Sequence, residues 1–189
     1  MLLNWLKQLF SSLSNVFNLF KVEHLQPATA LDYGNNLSIH SAYKHDDVGI
    51  PFYPNLITQL ELNHQQLLAL YINIGGCLDL KEYHLLPDQL IQFRQDLKAH
   101  LELENIKFYG YLEQNLKEQN QAFLSVRQFR REMRAIDRAG LKFLDYWIDF
   151  GINRTSASEF KAEYEAMGSA LINRIERQEK ELYIMYNRV

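Results

Sequence analysis

Apolar residues recur at helical spacing along most of this chain. Between residues 2 and 21, Leu2, Leu3, Leu6, Leu9, Phe10, Leu13, Val16, Phe17 and Phe20 line one face, while Asn4, Lys7, Gln8, Ser11, Ser14, Asn15 and Asn18 occupy most of the other. That pattern predicts a strong amphipathic helix. Residues 23–53 lose the period and collect Pro27, Gly34, Asn35, Asn36, Asp46, Asp47, Gly49 and Pro51, which makes them a long connector. From Pro54 the helical period returns. A first helix is predicted from Asn55 to Asn73, ended by Gly75-Gly76, and a second from Pro87-Asp88 to about Lys117. A third covers roughly 120–150 and stops at Gly151. The fourth begins after Ser156, where Ser156-Ala-Ser-Glu159 has capping-box spacing, and runs to the C-terminus. Short connections between four helices imply an all-α, antiparallel up-down four-helix bundle over residues 54–189. An additional N-terminal amphipathic helix (1–22) and the connector (23–53) precede it.

Composition agrees with that reading and narrows it. The chain is 47% hydrophobic and 13% aromatic, more than a disordered chain carries, and its polar positions are mostly the Glu, Gln, Lys, Arg and Asn of long helices. A net charge of -3 gives no reason to expect a nucleic acid as partner. The single cysteine, Cys77, excludes an intramolecular disulfide and a cysteine-cluster metal site, and reads as a small buried hydrophobe. No apolar run reaches the length of a membrane span, and the N-terminus carries neither a basic leader nor a small-residue cleavage site. A cytoplasmic protein is expected. Its N-terminal helix has three places to bury its apolar face: its own bundle, a second subunit in a homo-oligomer, or a membrane surface. There is no phosphate-cradling glycine loop, nucleotide fingerprint or catalytic serine or cysteine motif, so the expectation is a non-enzymatic binding or sensory module.

Two of the six histidines stand out. His24, His40 and His45 fall in the connector and His84 in a turn, where exposed polar residues are ordinary. His64, by contrast, precedes Leu67, Leu68 and Tyr71 on or beside a buried stripe, and His100 is followed one turn later by Glu104. Imidazole and carboxylate at that spacing suit iron or zinc, and equally suit a hydrogen-bonded core pair.

The segments around them resemble hemerythrin-like domains. Leu60-Glu-Leu-Asn-His64-Gln-Gln-Leu-Leu is similar to the first ligand helix of that family, Leu97-Lys-Ala-His100-Leu-Glu-Leu-Glu104 to the second, and Leu171-Ile-Asn-Arg174-Ile-Glu-Arg-Gln-Glu179 to the fourth. The resemblance implies His64, His100, Glu104 and Glu179 as the protein ligands of one iron, with Gln178 the alternative to Glu179 in register. The family's third helix supplies two histidines to the other iron, but residues 120–150 hold none, and the fourth-helix histidine position is Arg174. A guanidinium has no lone pair for a metal but can pair with Glu104 or Glu179. What remains is either one Fe or Zn ion in place of a di-iron pair or a metal-free polar core stitched by Arg174. Leu67-Leu-Ala-Leu-Tyr-Ile-Asn-Ile-Gly75, Phe93-Arg-Gln-Asp-Leu97 and Ala170-Leu-Ile-Asn-Arg174 also resemble the Rsd/AlgQ anti-sigma regulators. That family carries an arginine in the fourth helix, lacks the iron ligands, and implies a protein partner from the transcription machinery.

Arg127, Arg130, Arg131, Arg134 and Arg138 recur at near-helical spacing, with Lys142 beyond. A basic stripe of this kind can bind phosphates or an acidic partner. Glu132, Asp137 and Asp145 interleave with it, so a solvated face laced with helical ion pairs is the expectation, unless one arginine turns inward.

Overall fold

The first helix, α1, spans Leu56–Asp79 and buries Leu56, Leu60, Leu67, Tyr71, Ile74 and Leu78 along one stripe. The structure, a computed structural model, describes residues 49–189. The helix predicted over residues 2–21, and all of the connector before Gly49, lie outside them. α1 does not end at Gly75-Gly76. It runs through both, and the stop is a Schellman motif: the Lys81 N–H donates to the Leu78 carbonyl (3.1 Å) and the Glu82 N–H to the Cys77 carbonyl (2.8 Å). Lys81 takes the left-handed conformation this requires, at φ 62°.

A short 3-10 turn over Tyr83–Leu85 leads into α2, Leu86–Leu103, with Pro87 in its first turn, where a missing N–H costs nothing. The rod continues as a π-helical turn, Glu104–Tyr109, and then as α3, Gly110–Asn115. α4 covers Asn120–Phe150 and stops at Gly151, whose φ of 80° suits glycine, as the sequence predicts. α5 covers Ala157–Arg177, and a second π turn, Gln178–Leu182, passes into α6, Tyr183–Tyr186. The predicted capping box does not form. Ser156 Oγ accepts from the Asn153 N–H (3.0 Å), while Asn153 Oδ1 accepts from the Thr155 N–H (2.8 Å), so Asn153 organises the turn instead.

All of these described elements are helical, in four rods. Two apolar clusters hold them together. One gathers Tyr71, Phe93, Leu97, Leu144, Trp147 and Phe160, and the other Leu60, Phe108, Leu112, Val126, Phe129 and Tyr186. The beginning of α1 shares a cluster with the end of the second rod, the beginning of α4 and the end of the fourth rod, so successive rods run in opposite directions. No helix of the described residues is long and apolar enough to cross a membrane.

Candidate functional site: a polar layer between two apolar clusters

Each rod contributes at least one polar residue at the height where one apolar cluster gives way to the other. His64 follows Leu60 and precedes Leu67 on α1, and His100 and Glu104 lie between Leu97 and Phe108 on the second rod. Asp137 sits between Met133 and Phe143 on α4, and Arg174 and Gln178 between Leu171 and Leu182 on the last rod. All six are buried, Arg174 to 2% exposure and Gln178 to 0%. Burying this many polar groups is costly unless they satisfy one another.

They do so in part. Arg174 Nη2 donates to Glu104 Oε2, and Gln178 Nε2 donates to Glu104 Oε1 and lies 3.3 Å from Tyr109 Oη. Arg174 Nε stands 3.0 Å from Asp137 Oδ1, close enough for an ion pair but not aligned as a hydrogen bond. His64 Nδ1 lies 3.0 Å from Glu179 Oε1, and the His64 ring tilts against that of His100 with centroids 4.7 Å apart. Besides the misaligned Arg174–Asp137 pair, the layer leaves His64 Nε2, both His100 ring nitrogens, Gln178 Oε1 and Tyr183 Oη without a hydrogen-bond partner among the described residues. Two π turns frame the layer, one beginning at Glu104 and ending at Tyr109, the other beginning at Gln178 and followed by Tyr183. Such turns are rare and recur at functional sites.

The charges follow from burial. It works to discharge Arg174, but Glu104 and Asp137 outweigh it and hold the guanidinium above its ordinary value. Burial pushes the Glu104 carboxyl up, against the downward pull of Arg174 and Gln178, and it raises Asp137 to about 6. His64 is lowered to about 3 by burial and then by Arg174, and His100 to about 2 by burial, His64 and Arg174. Both imidazoles are neutral at neutral pH. His64 therefore donates through Nδ1 to Glu179 and keeps its lone pair on Nε2, the tautomer that a carboxylate neighbour imposes.

Every residue that the hemerythrin resemblance singles out reaches this layer: His64, His100, Glu104, Glu179 and Arg174. The register question between Gln178 and Glu179 has a double answer, since Gln178 turns inward to Glu104 and Glu179 reaches across to His64. Yet the four do not converge as a ligand set. Glu104 is occupied by Arg174 and Gln178, Glu179 by His64, and only two imidazoles keep free donor atoms. Among the described residues no group of three or more His, Cys, Asp or Glu side chains is placed to hold a metal ion. Protein sites for iron or zinc draw on three or four such donors, so the residues as arranged do not fit one. Beside His64 and Arg174 a cavity of about 20 Å³, walled by Leu67, Tyr71, Phe93 and Leu97, has room for a molecule the size of one water.

Asp137 is the residue that the sequence reading misplaces. It belongs not to a solvated ion-pair face but to the layer, and its position between Met133 and Phe143 on the buried stripe of α4 is the signal for that. Arg130 is half-buried and pairs with Glu113 at 2.9 Å, so the arginine that turns into the layer is Arg174. No family model matches the chain, and no curated protein or solved structure matches it either.

Proposed function

We propose that this protein is a hemerythrin-like bundle whose metal centre has been replaced by an arginine-centred polar core, and that it acts without turnover, as a regulator that binds a protein partner. The observation that carries this reading is Arg174 placed between Glu104 and Asp137, with Gln178 on the remaining oxygen of Glu104. A fixed cation there serves the electrostatic role of a metal and takes up the carboxylate a metal would need. With no open coordination position and no exposed nucleophile–base pair in the layer, the bundle's useful surface is its outside. The likeness of the α1, α2 and α5 segments to the Rsd/AlgQ regulators points to the transcription machinery, a sigma factor above all, as the source of the partner.

The competing reading is a single Fe or Zn ion on His64 and His100. Their neutral rings and unpartnered nitrogens favour it, but it requires Glu104 to leave Arg174 and Glu179 to leave His64. Elemental analysis of tag-free protein, before and after reconstitution with Fe(II) or Zn(II), separates the two. The expectation is less than about a tenth of an equivalent of either metal. One equivalent that survives desalting and disappears in His64→Ala/His100→Ala would overturn the arginine-core reading. Affinity capture at native abundance tests the partner: a stoichiometric transcription component is expected, and no stable partner would sink the regulatory reading.

A further inference from the structure

The exposed arginines of α4 have lost the acids that the sequence sets among them. Arg127, Arg131, Arg134, Arg138 and Lys142 are all exposed. At 100° per residue they fall within an arc of about 80°, along roughly 22 Å of helix. Each of the three interleaved acids is engaged elsewhere. Asp137 turns into the core to Arg174, Glu132 pairs with Arg177 on α5 at 3.0 Å, and Asp145 pairs with Arg94 on α2 at 2.5 Å. Among the described residues none of the five cations has an ion-pair partner. The stripe is therefore a row of like charges, each repelling its neighbour one turn away.

We infer that this face of α4 is the docking surface for an acidic, amphipathic helix of another protein. The inference rests on the protein-partner reading above and names the chemistry of that partner. Charge supplies the first reason, because a row of four guanidiniums presents forks that match carboxylates at the same helical spacing. Shape supplies the second. Beside the cations, on one flank shared with Gln128, lie Leu124, Ala135, Ala139 and Tyr146, all exposed; the two alanines let a second helix approach closely, and the leucine and tyrosine offer it apolar area. The whole molecule supplies the third. A chain of net charge -3 and pI near 6.1 repels a nucleic acid at long range.

Fluorescence anisotropy on the full chain tests this, with a labelled synthetic helix of about 20 residues as the probe. Its glutamates recur every three or four residues beside a leucine–alanine face, and a matched peptide carries glutamine instead. The glutamate peptide should bind, weaken as salt rises, and lose at least about tenfold in affinity against Arg131→Glu/Arg138→Glu, as should the glutamine peptide against the parent protein. Arg131→Gln/Arg138→Gln, which removes the two charges without reversing them, should show an intermediate loss. Equal affinity for both peptides, or none lost in either variant, overturns the proposal. So does stronger competition from a DNA duplex or phosphatidylglycerol vesicles than from unlabelled peptide. A metal-free protein with a stable partner that contacts another face would remove the stripe while leaving the preceding reading intact.

Discussion

Arg174 carries the one buried cation of the polar layer, and two carboxylates depend on it. Removing a single member of a buried ion cluster costs more than the cluster is worth, because the partners are left charged and dry. Arg174→Met should therefore destabilise the fold by about 3–5 kcal/mol in urea unfolding, whereas Arg174→Met combined with Glu104→Gln and Asp137→Asn should recover most of that loss. Equal costs for the single and triple variants would show that the layer does not act as a unit. The neighbouring imidazoles give the site a pH signature. In the folded state His64 and His100 titrate near 3 and 2 against an ordinary 6.5, so their contribution is complete above pH 6.5 and is lost as the pH falls below it, where only the unfolded chain takes up protons. Asp137 opposes them: raised to about 6 from 3.8, it favours the folded state below pH 3.8, an effect lost as the pH rises through 6. Glu179 faces His64, and Glu104, Tyr109 and Tyr183 complete the titratable surroundings. Glu104 and Glu179, also raised by burial, oppose the histidines in the same sense as Asp137. The histidines' own share between pH 7 and 5.5, about 1 kcal/mol each, is therefore read as the difference in pH slope between the parent and a variant lacking both. His64→Gln/His100→Gln should shift the slope by that amount; an unchanged slope would assign it to other groups.

Between α1 and α5 the packing device is a pair of crossed tyrosines. Tyr71 Oη donates to the Tyr164 carbonyl (3.0 Å) and Tyr164 Oη to the Tyr71 carbonyl (2.5 Å), with the rings stacked at 4.2 Å. Each hydroxyl lies over the glycine one turn beyond the other tyrosine, Tyr164 over Gly75 and Tyr71 over Gly168. A Cβ on Gly75 would stand 2.7 Å from Tyr164 Oη, while one on Gly76 would meet nothing within 4 Å. Two adjacent helical glycines should thus respond with opposite signs. Gly75→Ala should lose about 1–3 kcal/mol to overpacking, and Gly76→Ala should gain about 0.5–1 kcal/mol from helix propensity. Thermal or urea unfolding of the two single variants decides it, and a common sign would refute the clasp. The same pair shows where sequence pattern succeeds and fails. The helix α4, its glycine stop and the bundle class are legible because periodicity and Gly151 depend only on the local chain. The end of α1 is not, because Gly75-Gly76 has the spelling of a stop while the close approach of Tyr164 is a tertiary fact, and the actual stop uses Lys81 at a position where glycine is usual. The polar layer is half legible: the helical spacing of His100, Glu104, Arg174 and Gln178 brings them to common faces, but which acid Arg174 takes depends on α4, and no local spacing reveals that choice.

Over the whole molecule, charge is distributed against its own average. The chain is acidic by three charges, yet one exposed face of α4 gathers five cations whose nearest acids serve other helices. Like charges one turn apart destabilise a helix by a few tenths of a kcal/mol per pair, so the stripe lowers the stability of the isolated protein. If the stripe is kept for a partner, breaking it should strengthen the free protein and weaken the complex, the trade-off expected of a functional surface. Arg134 is the residue to change, because the exposed Arg131 and Arg138 lie three and four positions from it on either side. Arg134→Glu replaces the repulsions from Arg131 and Arg138 with attractions, against the loss of its pull on Asp137, while Arg130 is already paired with Glu113. The urea midpoint of the free protein should rise at low ionic strength, and the gain should shrink toward zero in about 1 M salt, where screening acts within roughly 3 Å. A fall in the midpoint, or a gain that ignores salt, would mean that Arg134 supports the fold through contacts of its own, and the stripe would then be structure rather than surface.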